Sequence, residues 1–144
     1  MKLPNSFRMP LRYALRERDM FTKESRGRLT KCAELLENNK YLATSETYRR
    51  CDSDGTAAYC ALGVLLQTYI EAEENVAWDD NHDWSADEIR VHNGPWLIQG
   101  DLLRRHFGLD SDAQDDIVKA NDNAVTPKAG HRAAAGVIRA LLAK

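Results

Sequence analysis

Apolar positions along this chain recur mainly at helical spacing. The most apolar run is Ala58-Tyr59-Cys60-Ala61-Leu62-Gly63-Val64-Leu65-Leu66, continuing through Gln67 and Thr68 to Tyr69 and Ile70. Cys60, Val64 and then Leu66 or Gln67 keep i, i+4, i+7 spacing, which predicts a buried helix opening near Tyr59 and ending near Glu71 or Ala72. Gly63 costs about 1 kcal/mol against alanine inside a helix. Its presence there predicts close approach by a neighbouring element. The preceding Asp52-Ser53-Asp54-Gly55 reads as a turn.

A second helix is expected from Thr22 or Ser25 to Glu37, capped by either residue, with Leu29, Cys32, Ala33, Leu35 and Leu36 as its buried stripe. Asn38-Asn39 ends it. Tyr41 to Arg50, polar and rich in Thr and Ser, is expected to hold a short strand. Ile89 and Val91, then Trp96 and Ile98, alternate around Asn93-Gly94, a dipeptide favoured in two-residue hairpin turns. A small hairpin near residues 88–99 follows, with Pro95 keeping its second strand at an edge.

Asp101 is placed to cap a short helix, Leu102 to Phe107, closed by Gly108. Ser111 with Gln114 has capping-box spacing for a helix to about Ala120. Asn121-Asp122-Asn123 reads as a turn. Thr126-Pro127 supplies cap and first position of a last helix, with Ala134, Val137, Ile138, Leu141 and Leu142 inward. The fold class expected is a single mostly helical α+β domain over residues 1–144, with about five helices and one small β-hairpin. The Leu29–Leu36 stripe and the last helix should enclose the central one.

Tyr59-Cys60-Ala61-Leu62-Gly63-Val64-Leu65, preceded by Asp54-Gly55, resembles the Tyr-Cys-Cys-Leu-Gly-Val-Leu signature of small uncharacterised bacteriophage and prophage proteins. Phe107-Gly108-Leu109, Asn121-Asp122 and the segment after Thr126 match the order of later features in those proteins. The resemblance runs from about Leu29 onward. Ala61 stands in place of the second cysteine, and Leu66 where another cysteine is common. It implies a phage-related origin and no established activity.

Composition narrows the classes further. Hydrophobic residues make up 43% of the 144 and charged residues 29%, ordinary values for a soluble domain. No apolar run reaches the ~20 residues that span a bilayer, so no membrane partner is expected. Met1-Lys2-Leu3-Pro4-Asn5 lacks the apolar core of a signal peptide. Three cysteines, Cys32, Cys51 and Cys60, without a Cys-x-x-Cys pair, give neither a disulfide framework nor a zinc signature. A reducing, cytoplasmic setting is expected, that of the host cell if the chain is phage-encoded.

Charge is unevenly spread. Residues 1–50 hold twelve Lys/Arg against six Asp/Glu, whereas residues 71–90 hold eight Asp/Glu against one Arg. Residues 1–21 read as a basic arm, with Arg8, Arg12, Arg16 and Arg18 opposite Leu11, Ala14 and Leu15. Aromatic interleaving there is limited to Phe7 and Tyr13, so nucleic acid is not expected as a partner.

Three constellations are candidates for function. Cys60, at the start of the central helix, has the placement of an activated thiol, since a helix N-terminus favours the thiolate. His82, His92 or His131 would serve as its base and Asn121 or Asp122 would orient that base. A small hydrolase or transferase would result, with Cys60 and His131 as its catalytic pair. The competing fact is that cysteine is among the most buried residue types.

Asp79, Asp80, His82 and Asp83 offer metal-ligand types without ordered ligand spacing, so no metal or other cofactor is expected. Asp52 to Gly55 opens like a calcium loop, but the twelfth position falls on Gly63 and not on an acid. The third constellation gathers all three tryptophans. Trp78, Asp79, Asp80, His82, Asp83, Trp84 and Trp96 combine aromatic area with negative charge, the composition of a partner-binding face. The leading expectation is therefore a phage-encoded accessory protein that binds a host protein, with inhibition of a defence system as its mode of action. A sponge for a nucleotide signal, with Arg12, Arg16, Arg49 or Arg50 around the phosphates, is the remaining alternative.

Overall fold

A computed structural model describes residues 21–79, 89–91 and 96–144. Its elements in chain order are α1 (Lys23–Glu37), β1 (Arg49–Cys51), β2 (Ala57–Tyr59), α2 (Ala61–Ala72), β3 (Val76–Trp78), β4 (Ile89–Val91), β5 (Trp96–Leu97), α3 (Gln99–Phe107), α4 (Ser111–Asp122) and α5 (Pro127–Leu142). The class is mostly helical α+β. The described residues hold five helices, a two-stranded sheet β1-β2 and a three-stranded sheet β3-β4-β5.

α2 is the centre. Ala61 to Leu66 are six consecutive buried residues, so its first half is enclosed on every side. A single buried stripe does not describe it. α1 packs on it with Leu29, Cys32, Ala33 and Leu36, and α5 covers the assembly with Ala134, Ala135, Ile138 and Leu141. Leu103, Phe107, Leu109 and Ile117 from α3, α4 and their junction complete the core.

The expected approach to Gly63 comes from the loop before β1. A Cβ on Gly63 would overlap the carbonyl of Tyr48. A second glycine is used the same way. A Cβ on Gly130 would overlap the carbonyl of Asn121, so only glycine lets the first turn of α5 lie on the end of α4.

The helix ends follow sequence chemistry with shifts of a few residues. Thr22 caps α1 through a reciprocal pair with Ser25. Thr126 caps α5 by accepting from the Ala129 N–H, with Pro127 at its first position. Gly108 closes α3 in the left-handed conformation, φ 72°.

α2 begins at Ala61 and not at Tyr59, because Ala57 to Tyr59 pair with β1 and Cys60 becomes the cap. α3 begins at Gln99, before the expected Asp101 cap. Asp101 instead lies in the first turn and pairs with Arg104. α4 is capped by Asp110 in place of Ser111, and Gln114 turns to the carbonyls of Gly100 and Leu109. The helix runs through Asp122, so Asn121 is helical, not part of a turn.

The expected hairpin is present as β4-β5, with Ile89 opposite Leu97 and Arg90 opposite Trp96. β3 adds a third strand, Trp78 opposite Ile89. The expected strand between Tyr41 and Arg50 is reduced to β1 and a single bridge from Ala43 to Tyr59.

Candidate functional site

The start of α2 exposes N–H groups that the helix itself leaves without acceptors, and they are met by the cap residue itself and by two distant segments. The Ala61 N–H donates to Asn121 Oδ1 at 3.0 Å. The Gly63 N–H donates to Cys60 Sγ at 3.4 Å, so the thiol acts as a soft cap in place of a hydroxyl or carboxylate. The Cys60 N–H donates to the Tyr48 carbonyl at 3.2 Å, the same carbonyl that excludes a side chain at Gly63.

Asn121 is 2% exposed and joins two further segments. Its Nδ2 donates to the Thr44 carbonyl at 3.2 Å and to Asp122 Oδ1 at 2.9 Å. That carboxylate oxygen also accepts from the Glu46 N–H at 3.2 Å. Glu46 is held at φ 69°, a conformation few side-chain-bearing residues adopt.

His131, fully buried on α5, places Nε2 2.8 Å from the Tyr59 carbonyl oxygen. A carbonyl only accepts, so Nε2 carries the hydrogen and Nδ1 is the bare nitrogen. Nδ1 is buried and has no hydrogen-bond partner among the described residues. Burial pushes the imidazole below its ordinary proton affinity, opposed by the bond to Tyr59. The ring is therefore neutral at pH 7. The Tyr59 carbonyl also takes the Thr44 N–H at 2.9 Å, so both its lone pairs are used.

A pocket of about 260 Å³ opens beside this cluster, lined by Glu46, Tyr48, Cys60, Leu62, Asn121 and Asp122 among others. The fold thus brings Cys60, Asn121 and His131 into one neighbourhood, as the cysteine-enzyme expectation requires. It connects them through backbone groups, however. His131 donates to the carbonyl of Tyr59 and Asn121 accepts from the amide of Ala61. Beside the thiol, the lining residues with ionisable side chains are Glu46, Asp122 and Tyr48, and His131 does not line the pocket. Asp122 orients Asn121 and the Glu46 backbone, not the histidine. His82 and His92 lie outside the described residues.

The expected acidic, aromatic face is corrected at two of its seven residues. Trp78 is 8% exposed and Asp79 is 7% exposed, so neither presents a surface. Pairing of β3 with β4 turns the indole inward. Its Nε1 donates to Gln67 Oε1 at 2.7 Å, where Tyr59 also donates. The Arg49 guanidinium covers the ring at 5.6 Å from its centroid. Trp78 is a core closure with a satisfied N–H. Asp80, His82, Asp83 and Trp84 lie outside the described residues, as does the side chain of Trp96.

Arg49, offered as a phosphate ligand, is thus stacked on Trp78, while Arg50 is exposed on β1. Arg12 and Arg16 belong to residues 1–20, outside the described chain with the rest of the basic arm. Among the described residues no three His, Cys, Asp or Glu come together as metal ligands. No described helix is long and apolar enough to cross a membrane.

Sequence reasoning missed Thr44 and Tyr48, whose backbone groups complete the cluster. The one signal for it was Gly63, which announced an approaching backbone without saying whose. Comparison of the chain with protein-family models, with curated proteins and with solved structures finds no match.

Proposed function

We propose that this chain is a non-catalytic accessory protein that acts by binding a macromolecule of a host cell. The observation that carries this reading is the commitment of Asn121 and His131 to backbone hydrogen bonds around Tyr59 and Ala61. Those residues are what a cysteine enzyme built on Cys60 needs as orienter and base. In their present bonds they stabilise the start of α2 instead. The small size of the domain and the phage-type Tyr-Cys-Ala-Leu-Gly-Val-Leu run agree with an accessory role, including inhibition of a defence system. The acidic, aromatic contact surface we propose keeps Asp80, His82, Asp83, Trp84 and Trp96 from the sequence reading and drops Trp78 and Asp79, which are buried.

Affinity capture from host lysate tests this, with Asp80→Lys plus Asp83→Lys and separately Trp84→Ala as folded variants. A specific co-purifying host protein is expected, with its association slowed by the charge reversals. Trp84→Ala should cost about 2 kcal/mol of binding or more if it is a hot spot. Capture unaffected in both variants would remove the surface. Cys60→Ser separates the enzyme alternative: a binder keeps its function, whereas an enzyme loses it with the fold intact.

A further inference from the structure

A second and larger cavity, about 610 Å³, lies between the C-terminal half of α2, α1 and the end of α3. Its volume falls within the roughly 300–1,000 Å³ of small-molecule sites. One wall carries Arg28 and Lys31 from α1 and Lys40 from the turn that follows. The other carries Thr68, Glu71 and Glu73 from the last turns of α2 and its cap.

The inner polar groups are already joined to one another. The Tyr41 hydroxyl donates to Glu71, which also accepts from Gln67, and the Thr68 hydroxyl donates to the Leu65 carbonyl beside the Cys32 thiol. Arg28 is fixed by donating Nη1 to the His106 carbonyl at 2.9 Å, which leaves the rest of its guanidinium for another acceptor. The side chains of Lys31, Lys40 and Glu73 make no hydrogen bond or ion pair among the described residues. Two ammonium groups and a carboxylate thus line one cavity with no ion pair between them.

We propose that this cavity binds a nucleoside 5′-phosphate. A bare anion satisfies Lys31, Lys40 and Arg28 but is repelled by Glu73 and Glu71. A cation has the reverse problem. A ligand with a phosphate at one end and hydroxyl or amine donors at the other suits both walls. Phosphate accepts from basic side chains of the α1 wall, while ribose hydroxyls or an exocyclic amine donate to Glu73, as carboxylates do for ribose elsewhere. Tyr41, half-buried, and the edge of His106 supply apolar faces for the base. The site shares no described lining residue with the Cys60 pocket.

The test is titration of the folded chain with AMP, GMP, CMP and UMP, followed by calorimetry and by amide chemical shifts. Ribose 5-phosphate, adenosine and inorganic phosphate are the fragments. At least one nucleotide should bind saturably, shifting the amides of Lys31, Lys40, Thr68 and Glu73. Each fragment should bind at least about tenfold more weakly than that nucleotide. Lys31→Gln plus Lys40→Gln, both exposed positions, should weaken the nucleotide at least about tenfold, whereas Lys128→Gln on α5 should leave it unchanged. Four results overturn the proposal. They are no saturable nucleotide binding, inorganic phosphate binding as tightly as nucleotide, equal affinity in the double variant, or an acidic peptide competing where nucleotides do not.

Discussion

Replacing Gly63 with alanine adds one methyl group at the most crowded glycine among the described residues. In an open helix the change stabilises by about 1 kcal/mol. Here the new Cβ overlaps the Tyr48 carbonyl oxygen, a backbone group that cannot turn aside as a side chain would. Relief requires the loop before β1 to withdraw from α2, at an overpacking cost of about 1–3 kcal/mol. Withdrawal also lengthens the bond from the Cys60 N–H to the same carbonyl, worth about 1 kcal/mol. After the helix gain is offset, the expected loss is about 1–3 kcal/mol. For a chain of this length that lowers Tm by roughly 3–10 °C.

Gly136→Ala is the control. It lies exposed on α5 with nothing within 4 Å of a built Cβ, so the same substitution should stabilise by up to about 1 kcal/mol. Urea unfolding of the two variants beside the parent gives the comparison. If Gly63→Ala proves as stable as Gly136→Ala, the Tyr48 loop does not press on α2 and the account of that glycine is wrong.

Three other outcomes are expected. Asn121→Ala leaves the Ala61 N–H and the Thr44 carbonyl without their buried partner, and should cost about 2–4 kcal/mol in urea unfolding; a loss under about 0.5 kcal/mol would show that the cluster contributes little. Because burial holds His131 below the ordinary imidazole value of about 6.5, the unfolded chain takes up protons first as pH falls, so stability is full above about pH 7 and declines on acidification. His106 shifts in the same direction, from burial and then from Arg28, so the part due to His131 is the difference between the parent and His131→Gln over about pH 7 to 5.5, and parallel curves would contradict it. Iodoacetamide at neutral pH should label half-buried Cys51 first and Cys32 last, since burial pushes the Cys32 thiol to about 11; peptide mapping that finds Cys32 labelled as fast as Cys51 would contradict this.

Local chemistry was legible wherever one residue determines one local geometry. Thr22, Thr126-Pro127 and Gly108 bound their helices because capping and left-handed closure depend on residues a few positions apart. Gly63 was legible as a contact but not as a contact with Tyr48. Strand β2 escaped because Ala57-Ala58-Tyr59 carries no alternation and merges with the apolar run of α2. The Cys60 neighbourhood was half legible. Its members could be named from residue type, but their hydrogen bonds could not, since Asn121 and His131 reach partners 60 to 77 positions away. Trp78 shows the opposite error. Tryptophan beside aspartate has the composition of an exposed hot spot, and only strand pairing with Ile89 reveals that its ring faces inward.

The double use of the Tyr59 carbonyl has a consequence for synthesis. One of its two donors, Thr44, leaves the ribosome before it, while the other, His131, is made 72 positions later. The Ala61 amide likewise waits 60 positions for Asn121. During translation the most apolar segment of the chain therefore emerges before the Ala61 amide and the Tyr59 carbonyl have all their final partners, and its final register is set only once α4 and α5 have been made. Long sequence separation of this kind slows folding and prolongs exposure of apolar surface. A nascent chain stalled just after residue 120 should stay protease-sensitive through residues 57–72. One stalled far enough beyond residue 142 for α5 to clear the exit tunnel should become protected there in a single step.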